Sequence, residues 1–288
     1  MYPKTDSLMN DILFKETFAD KDNRRQLEFL LELLLEYPEG YLKNRLEVKY
    51  ESPLEKENTK EKSVRGDIII HFDDMTINLE AYQVFNTNSI DKSLYYVMRI
   101  QANKLEVGND YYKLGKTIQI NFVEKTSLKL GDELVANFHI AYDKNPKIKL
   151  LENSFVIKVV QIDKARKLGY TNNVLERWLQ FIAARNKEER NSIAKGDELL
   201  VELNEWIDKY VNDEETREKL NKWDIQIAKS TGYELGKEEG IEIGKEQGVE
   251  QRNVEIAKSM LESNVPIEDI AKYTSLSIET INVLKENK

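Results

Sequence analysis

Hydrophobic residues change their spacing along the first 170 positions, and each change predicts a different element. Apolar residues three or four positions apart predict two helices within residues 7–36. Further along, short apolar or alternating runs predict strands in "RLEVKY", "DIIIHF", "TINLEAY", "KTIQINFV", "VANFHIAY" and "SFVIKVVQ". Only Asp73-Asp74-Met75 separates the second strand from the third, so these two are expected to form a β-hairpin.

One helix interrupts the predicted strands, and only helices follow them. The interrupting helix runs from Ser89 to about Val107, and its predicted buried side carries Ile90, Leu94, Val97, Met98 and Leu105. From Thr171 onward the pattern is helical, in "NNVLERWLQFIAARN", "GDELLVELNEWIDKYV" and "EETREKLNKWDIQIAKS". This order predicts an α/β or α+β core of about 165 residues with a helical extension.

Composition and charge narrow the class of protein. The chain has 288 residues, of which 40% are hydrophobic and 33% charged, and this suits a soluble globular protein. It contains no apolar run long enough for a membrane span, no apolar signal segment and no cysteine, so we expect a cytoplasmic protein without disulfides or thiolate zinc sites. The net charge of −9 argues against a general affinity for polyanions, although metal-dependent nucleases do concentrate carboxylates at their sites.

Two acidic residues fall on corresponding faces of the predicted hairpin. Side chains alternate along a strand, so Asp67 and Glu80 both lie opposite the apolar residues of their strands. Two carboxylates on neighbouring strands form the kind of oxygen site that Mg²⁺ or Mn²⁺ prefers. Taken alone, the spacing is more often that of a hairpin with one solvent-facing side.

Several short motifs resemble one group of enzymes. "NDILFKETF" resembles the opening D-x-x-FK-x-x-F of that group, and "INLEAY" resembles its "iniE-x-Q". The positions that match are Asp11, Phe14, Lys15, Phe18, Lys62, Asp67 and Glu80. The helix, the "G-x-x-Y" and the strand that follow, and the tail of Gly-x-x-x-Gly repeats, occur in the same order. The chain therefore resembles the recombination-promoting nucleases, a branch of the PD-(D/E)XK nuclease superfamily that is also labelled as transposases.

This resemblance implies both a fold and an activity. The fold would be a restriction-endonuclease-like α/β core, a mixed sheet flanked by helices, with a helical C-terminal extension. The activity would be metal-dependent hydrolysis of phosphodiester bonds in double-stranded DNA, linked to recombination or mobile elements. Asp67 and Glu80 would be the ligands of Mg²⁺ or Mn²⁺. Lys15, by spacing alone the solvated edge of an amphipathic helix, would lie near the active face.

The chain departs from the superfamily pattern two residues after Glu80. The superfamily places Lys or Gln there, whereas this chain has Tyr82, which stays neutral up to about pH 10. Three alternatives follow. Gln83 acts instead, although alternation turns it to the other face unless a bulge intervenes; Lys92 reaches back from the next helix; or the site no longer cuts. The candidate catalytic residues are therefore Asp67, Glu80, Tyr82, Gln83 and Lys92.

The tail carries a glycine at every fourth position from Gly232 to Gly248. Each glycine lowers helix stability by about 1 kcal/mol relative to alanine, so the segment is interpreted either as a loose helix or flexible linker, or as a close-packed assembly segment.

Three short helices are predicted after the glycine repeat, in "NVEIAKSMLE", "PIEDIAKYT" and "SIETINVLKEN". Their expected core is Ile256, Met260, Leu261, Ile267, Ile270, Ala271, Leu276, Ile281 and Leu284. The last two resemble a helix-turn-helix, but few DNA-reading side chains line the final helix, which favours a protein-interaction or dimerisation module.

Four segments are predicted: a nuclease-like core at 1–170, a helical extension at 171–230, the glycine-repeat segment at 231–250 and a small helix-turn-helix-like module at 251–288. The leading hypothesis is a metal-dependent DNA endonuclease. The first alternative is a catalytically lapsed nuclease fold that acts as a DNA- or protein-binding module, or as a homo-oligomer, through its C-terminal tail. The second is a structural or regulatory protein that binds no nucleic acid, an interpretation that the acidic net charge supports.

Overall fold

The computed structural model describes residues 6–50, 53–54, 64–65, 67–104, 110, 114–150, 154–263 and 265–286. It divides into two compact units, Met1–Ile227 and Ala228–Lys288. The predicted division into four segments stays a prediction.

The first unit begins with two helices and continues with the strands. Its first half contains α1 (Asp11–Ala19), α2 (Arg24–Leu35), β1 (Glu47–Tyr50), β2 (Pro53–Leu54), β3 (Val64–Arg65), β4 (Ile68–Phe72), β5 (Met75–Tyr82), α3 (Thr87–Ala102) and β6 (Thr117–Val123). Four more strands follow: β7 (Val135–Phe138), β8 (Ile140–Tyr142), β9 (Asn145–Leu150) and β10 (Phe155–Gln161).

Helices occupy the rest of the described chain. They are α4 (Ile162–Lys167), α5 (Val174–Ala183), α6 (Lys187–Ala194), α7 (Glu198–Asn212), α8 (Glu214–Glu262), α9 (Ile267–Thr274) and α10 (Ile278–Glu286). None of the helices in the described part of the chain combines the length and the apolar composition that a membrane span requires.

Six strands form one mixed sheet in the order β1-β4-β5-β6-β10-β7. β4 and β5 form the predicted antiparallel hairpin, while β6 runs parallel to both β5 and β10. The hairpin turn is tight: Phe72 pairs with Met75, and Asp73 has a positive φ of 49°. Gly115 packs against this turn, and a Cβ at Gly115 would lie 1.9 Å from the Asp74 carbonyl oxygen, so no other residue fits there. A mixed sheet flanked by helices confirms the predicted α/β class.

One face of the sheet carries the main hydrophobic core. The inward residues of the central strands alternate as the sequence predicts, and they are Ile68, Ile70, Ile77, Leu79, Ile118 and Ile120. They pack with α1, α2, α5 and α7, whose apolar residues at helical spacing belong to the same cluster. This packing holds α1 beside the ends of β4 and β5.

The opposite face is largely polar, and α3 covers it with a side that mixes polar and apolar residues. Ser89 and Ser93 of α3 are buried, together with Tyr96, Val97 and Ile100. The predicted orientation of this helix is therefore wrong for three of its five residues: Ile90, Leu94 and Met98 are exposed, and Leu105 lies outside the described residues. The reason is the surface beneath, where the strands present buried amide side chains that a serine can bond and a leucine cannot.

Several elements were not predicted because their sequences lack the expected pattern. β9 is the charged "NPKIKL", and α4 is only six residues long. α6 carries few apolar residues and is instead held by the fully buried Arg190, whose guanidinium donates to Asn204 and Asp208. "NVEIAKSMLE" is not a separate helix as predicted but the end of α8.

Two buried glutamates of α2 hold the loop that follows it. The Glu32 carboxylate accepts from the backbone N–H groups of Gly40 at 2.9 Å and Leu42 at 2.7 Å. Glu28 accepts from the N–H of Asn44 at 2.9 Å. These bonds satisfy loop amides that have no strand partner, and they fix the path of the chain into β1.

The second unit has a small core centred on Ala257, Ile270 and Ile281. Most of the residues expected there surround these three, but Ile256 is exposed, because the continuous α8 turns Ala257 toward the core in its place. The repeat glycines lie on the exposed surface of α8. Among the described residues, nothing lies within 4 Å of a Cβ built on any of the five.

Candidate active site

The hairpin brings Asp67 and Glu80 together at one end of β4 and β5. Asp67 directly precedes β4, and its neighbour Ile68 pairs with Leu79 of β5. The Asp67 backbone N–H donates to Glu80 Oε1 at 3.3 Å. The Glu80 side chain is 1% exposed and that of Asp67 15%, so both carboxylates lie in a site with restricted access to water.

A lysine from α1 binds Asp67. Lys15 Nζ lies 2.9 Å from Asp67 Oδ1 and 2.8 Å from Asp11 Oδ2, and it bridges the two carboxylates. The resemblance implied that Lys15 lies near the active face, and the structure places it in contact with Asp67, one of the candidate residues. Burial lowers the pKa of Lys15, but the two carboxylates outweigh burial and raise it above its ordinary value. Lys15 is therefore a fixed cation.

A second lysine binds Glu80 from α3. Lys92 Nζ lies 2.8 Å from Glu80 Oε2, while Asn78 Nδ2 donates to Glu80 Oε1 at 3.3 Å. Burial lowers the pKa of Lys92, but Glu80, followed by Tyr82 and Tyr96, raises it above the ordinary lysine value. Each of the two hairpin carboxylates is thus paired with its own lysine, one from α1 and the other from α3.

Asp67 is the residue of this cluster whose ionised form is disfavoured. Burial first, and then the charges of Glu80 and Asp11, raise its pKa from 3.8 to about 8, against the opposing effect of Lys15. Three carboxylates share two ammonium groups here, so a fully ionised cluster has an excess of negative charge. A divalent cation would relieve that excess.

The chemistry of the donors fits a hard divalent ion. Asp67 and Glu80 supply carboxylate oxygens from adjacent strands, and such ions commonly use one or two protein carboxylates and complete their shell with water or phosphate. The described residues contain no group of three acidic or histidine side chains arranged as a fuller metal cage. The two carboxylates would therefore form an open site of the kind that Mg²⁺ or Mn²⁺ occupies beside a substrate.

Of the two remaining candidates, the structure places Tyr82 on the side of the carboxylates and Gln83 away from them. Tyr82 shares the face of Glu80, and the Nζ of Lys92 lies 5.0 Å from the centroid of its ring. Gln83 points away: its Nε2 donates to the carbonyl oxygen of Met9, tying the end of β5 to the segment before α1. In the described pairing of β5 with β6, the register is kept through Tyr82, and no bulge turns Gln83 toward the carboxylates. Lys62, part of the resemblance, lies outside the described residues.

Sequence reasoning missed a chain of buried amides that begins at Glu80. Asn78 Nδ2 also donates to Gln119 at 2.8 Å, Gln119 donates to Asn121 at 2.8 Å, and Asn121 donates to Ser93 of α3 at 3.1 Å. The chain joins β5, β6 and the helix that carries Lys92. Polar residues at alternate positions of "TINLEAY" and "TIQINFV" were the signal that could have revealed it.

A mixed sheet flanked by helices, with two carboxylates at one end of a hairpin, is consistent with the α/β fold of the PD-(D/E)XK nucleases. Comparison with protein families agrees: residues 8–228 match the family described as PD-(D/E)XK nuclease family transposase. The match covers well over half of the chain, which therefore belongs to this family, as the sequence motifs suggested. Comparison with curated proteins and with solved structures gives no match.

Proposed function

We propose that the protein is a metal-dependent DNA endonuclease that hydrolyses phosphodiester bonds. The observation that carries this proposal is the placement of Asp67 and Glu80 at one end of the hairpin, in a chain that belongs to a nuclease family. Burial and mutual repulsion make these carboxylates costly to keep together, and a site retained at such a cost is typical of function.

Asp67 and Glu80 would hold Mg²⁺ or Mn²⁺, which supplies an activated water and charge stabilisation when it is bound. Neighbouring residues of the chain orient these two carboxylates for the ion. Asn78 and the Asp67 amide fix the orientation of Glu80, and Lys15 fixes that of Asp67. Because both carboxylates are held by packed neighbours, their oxygens are oriented before substrate binds.

Lys92 would provide the cation that position 82 lacks. Its side chain is 42% exposed, so its ammonium can face a bound phosphate as well as Glu80. The raised pKa keeps Lys92 protonated, which suits it to stabilise the charge that develops on the phosphate and makes it a poor general base. Three alternatives were left open by the absence of a lysine or glutamine at position 82. The contact between Lys92 of α3 and Glu80 of the hairpin supports the one in which Lys92 supplies the cation.

The wider setting follows from this activity. The substrate would be double-stranded DNA, the reaction would serve recombination or mobile elements, and the protein would act in the cytoplasm. The C-terminal tail would mediate homo-oligomerisation. An acidic chain needs local positive charge to approach DNA, and a divalent ion bound by Asp67 and Glu80 would supply it at this site, where three carboxylates outnumber the two lysines.

Cleavage of supercoiled plasmid with Mg²⁺ and with Mn²⁺ tests the proposal. Wild type should cut in either metal but not in EDTA, Asp67→Ala should not cut, and Lys92→Gln should be slower by about 10²-fold or more, the typical loss for one positioned catalytic group. Asp73→Asn, on the exposed hairpin turn, is the matched control and should cut like wild type. If folded wild type cuts no better than Asp67→Ala, the nuclease proposal is wrong and the lapsed-site alternative replaces it.

A further inference from the structure

Tyr82 occupies the position where the superfamily places a lysine or glutamine, and its ring contacts a lysine from another element. Lys92 Nζ lies 5.0 Å from the centroid of the Tyr82 ring and 4.9 Å from that of Tyr96. The same atom lies 2.8 Å from Glu80 Oε2. One ammonium group is therefore held at three points, by two aromatic rings and one carboxylate.

These contacts matter because a lysine side chain is otherwise flexible. Four rotatable bonds separate the Lys92 backbone from its ammonium, and 42% of the side chain is exposed, so Glu80 alone would hold it in one of several rotamers. A cation within about 6 Å of a ring centroid is attracted to the face of the ring. Two such rings select the rotamer that places Nζ over Tyr82.

The rings are themselves fixed. The Tyr82 ring packs edge-on against Phe85, with centroids 5.3 Å apart, in a small cluster that includes Val123 and Val159. Tyr96 is buried on the inner side of α3, one turn after Lys92. Because α3 is also bonded to the sheet through Ser93 and Asn121, the helix cannot easily move the lysine away.

We propose that Tyr82 and Tyr96 are positioning residues that hold the ammonium of Lys92 against Glu80. The tyrosine at position 82 then does not mark the loss of the catalytic cation. Its ring positions Lys92, which supplies that cation from α3. The role of Lys92 in cleavage rests on the proposed function, whereas its place between the two rings does not. A lysine introduced at position 82 would therefore compete with Lys92 in wild type and would replace it only where Lys92 has been removed.

Nuclear magnetic resonance tests the placement without reference to activity. With lysine labelled at Cε, the Lys92 signal is identified by its loss in Lys92→Gln. We expect ring currents to shift this signal upfield in wild type and in Tyr82→Phe, and the shift to fall in Tyr82→Leu and in Tyr96→Leu. Val159→Ala, which loosens the same cluster but does not touch Lys92, should lose stability and keep the shift. An unshifted wild-type signal, or an unchanged one in Tyr82→Leu, overturns the proposal.

Plasmid cleavage tests the consequence for the reaction. Tyr82→Leu should lower kcat by about tenfold with little change in KM, as expected for the loss of one cation–π contact, and Tyr82→Phe should lower it less. Tyr82→Lys alone should lose activity, and Lys92→Gln with Tyr82→Lys should recover part of what Lys92→Gln loses. Equal rates for Tyr82→Leu and wild type, or a gain of activity in Tyr82→Lys alone, overturn the positioning role. A wild type that never cuts refutes the proposed function and leaves the resonance test to decide the placement.

Discussion

Replacing Asp67 with asparagine should stabilise the metal-free protein, and the gain should grow with pH. The cause is the raised pKa of Asp67, which burial, Glu80 and Asp11 together bring to about 8. In the unfolded chain this carboxyl has an ordinary pKa of about 4. Between these two values folding takes up a proton, so wild type loses stability as the pH rises, and an asparagine does not.

The size of the effect follows from the same two values. A group that is protonated only in the folded state costs roughly 1.4 kcal/mol of stability per pH unit, so the variant should gain up to about 3 kcal/mol relative to wild type between pH 5 and pH 7. The pKa of about 8 already includes the opposing effect of Lys15, and the 15% exposure of the Asp67 side chain reduces the gain through solvent screening. We expect a relative gain of about 1–3 kcal/mol over these two pH units.

Guanidinium unfolding in EDTA at pH 5 and pH 7 measures this gain. Asp73→Asn is the control, because Asp73 is 56% exposed, is paired with Arg45 on the surface, and should give nearly the same difference at both pH values. Adding Mn²⁺ should stabilise wild type and not Asp67→Asn. The contrary result has two parts: Asp67→Asn is less stable than wild type at pH 7, and the difference in stability between the two proteins is no more favourable to the variant at pH 7 than at pH 5. That result would show that the ion pair with Lys15 outweighs burial, and would refute this reasoning.

Three further predictions concern the framework. Glu32→Gln should cost roughly 1–3 kcal/mol in guanidinium unfolding, because one of the two loop amides loses its acceptor. On α3, Val97→Ala should cost roughly 1–3 kcal/mol while Met98→Ala changes stability by less than about 0.5 kcal/mol, which checks the observed rotation of the helix. In the tail, Gly236→Ala and Gly240→Ala should each stabilise the helix by about 1 kcal/mol in thermal melts; loss of a self-associated species in sedimentation would instead favour the close-packed interpretation.

The hairpin could be predicted from sequence because the residues that form it are close together in the chain. β4 and β5 are adjacent in the chain, apolar and polar residues alternate along β5, and the turn between the strands is short. The two carboxylates follow from the same alternation, so the sequence alone is enough to place Asp67 and Glu80 on one surface of the hairpin.

The orientation of α3 could not be predicted, because it depends on what lies beneath the helix. Ile90, Leu94 and Met98 form an apolar stripe that would normally face a core. The sheet face under α3 instead carries a chain of amides that includes Gln119 and Asn121, and those residues lie on another strand. For the same reason, the sequence leaves Lys92 as one of three alternatives, because its distance to Glu80 depends on how α3 packs on the sheet.

The central claim is that Asp67 and Glu80 act together on one divalent ion. Isothermal titration of Mn²⁺ into wild type, Asp67→Asn and Glu80→Gln tests this most directly, since it reports the site itself and no trace nuclease can imitate the signal. We expect one Mn²⁺ site per chain in wild type and loss of that site in both variants. Equal binding by all three proteins, or no binding by wild type, would contradict it.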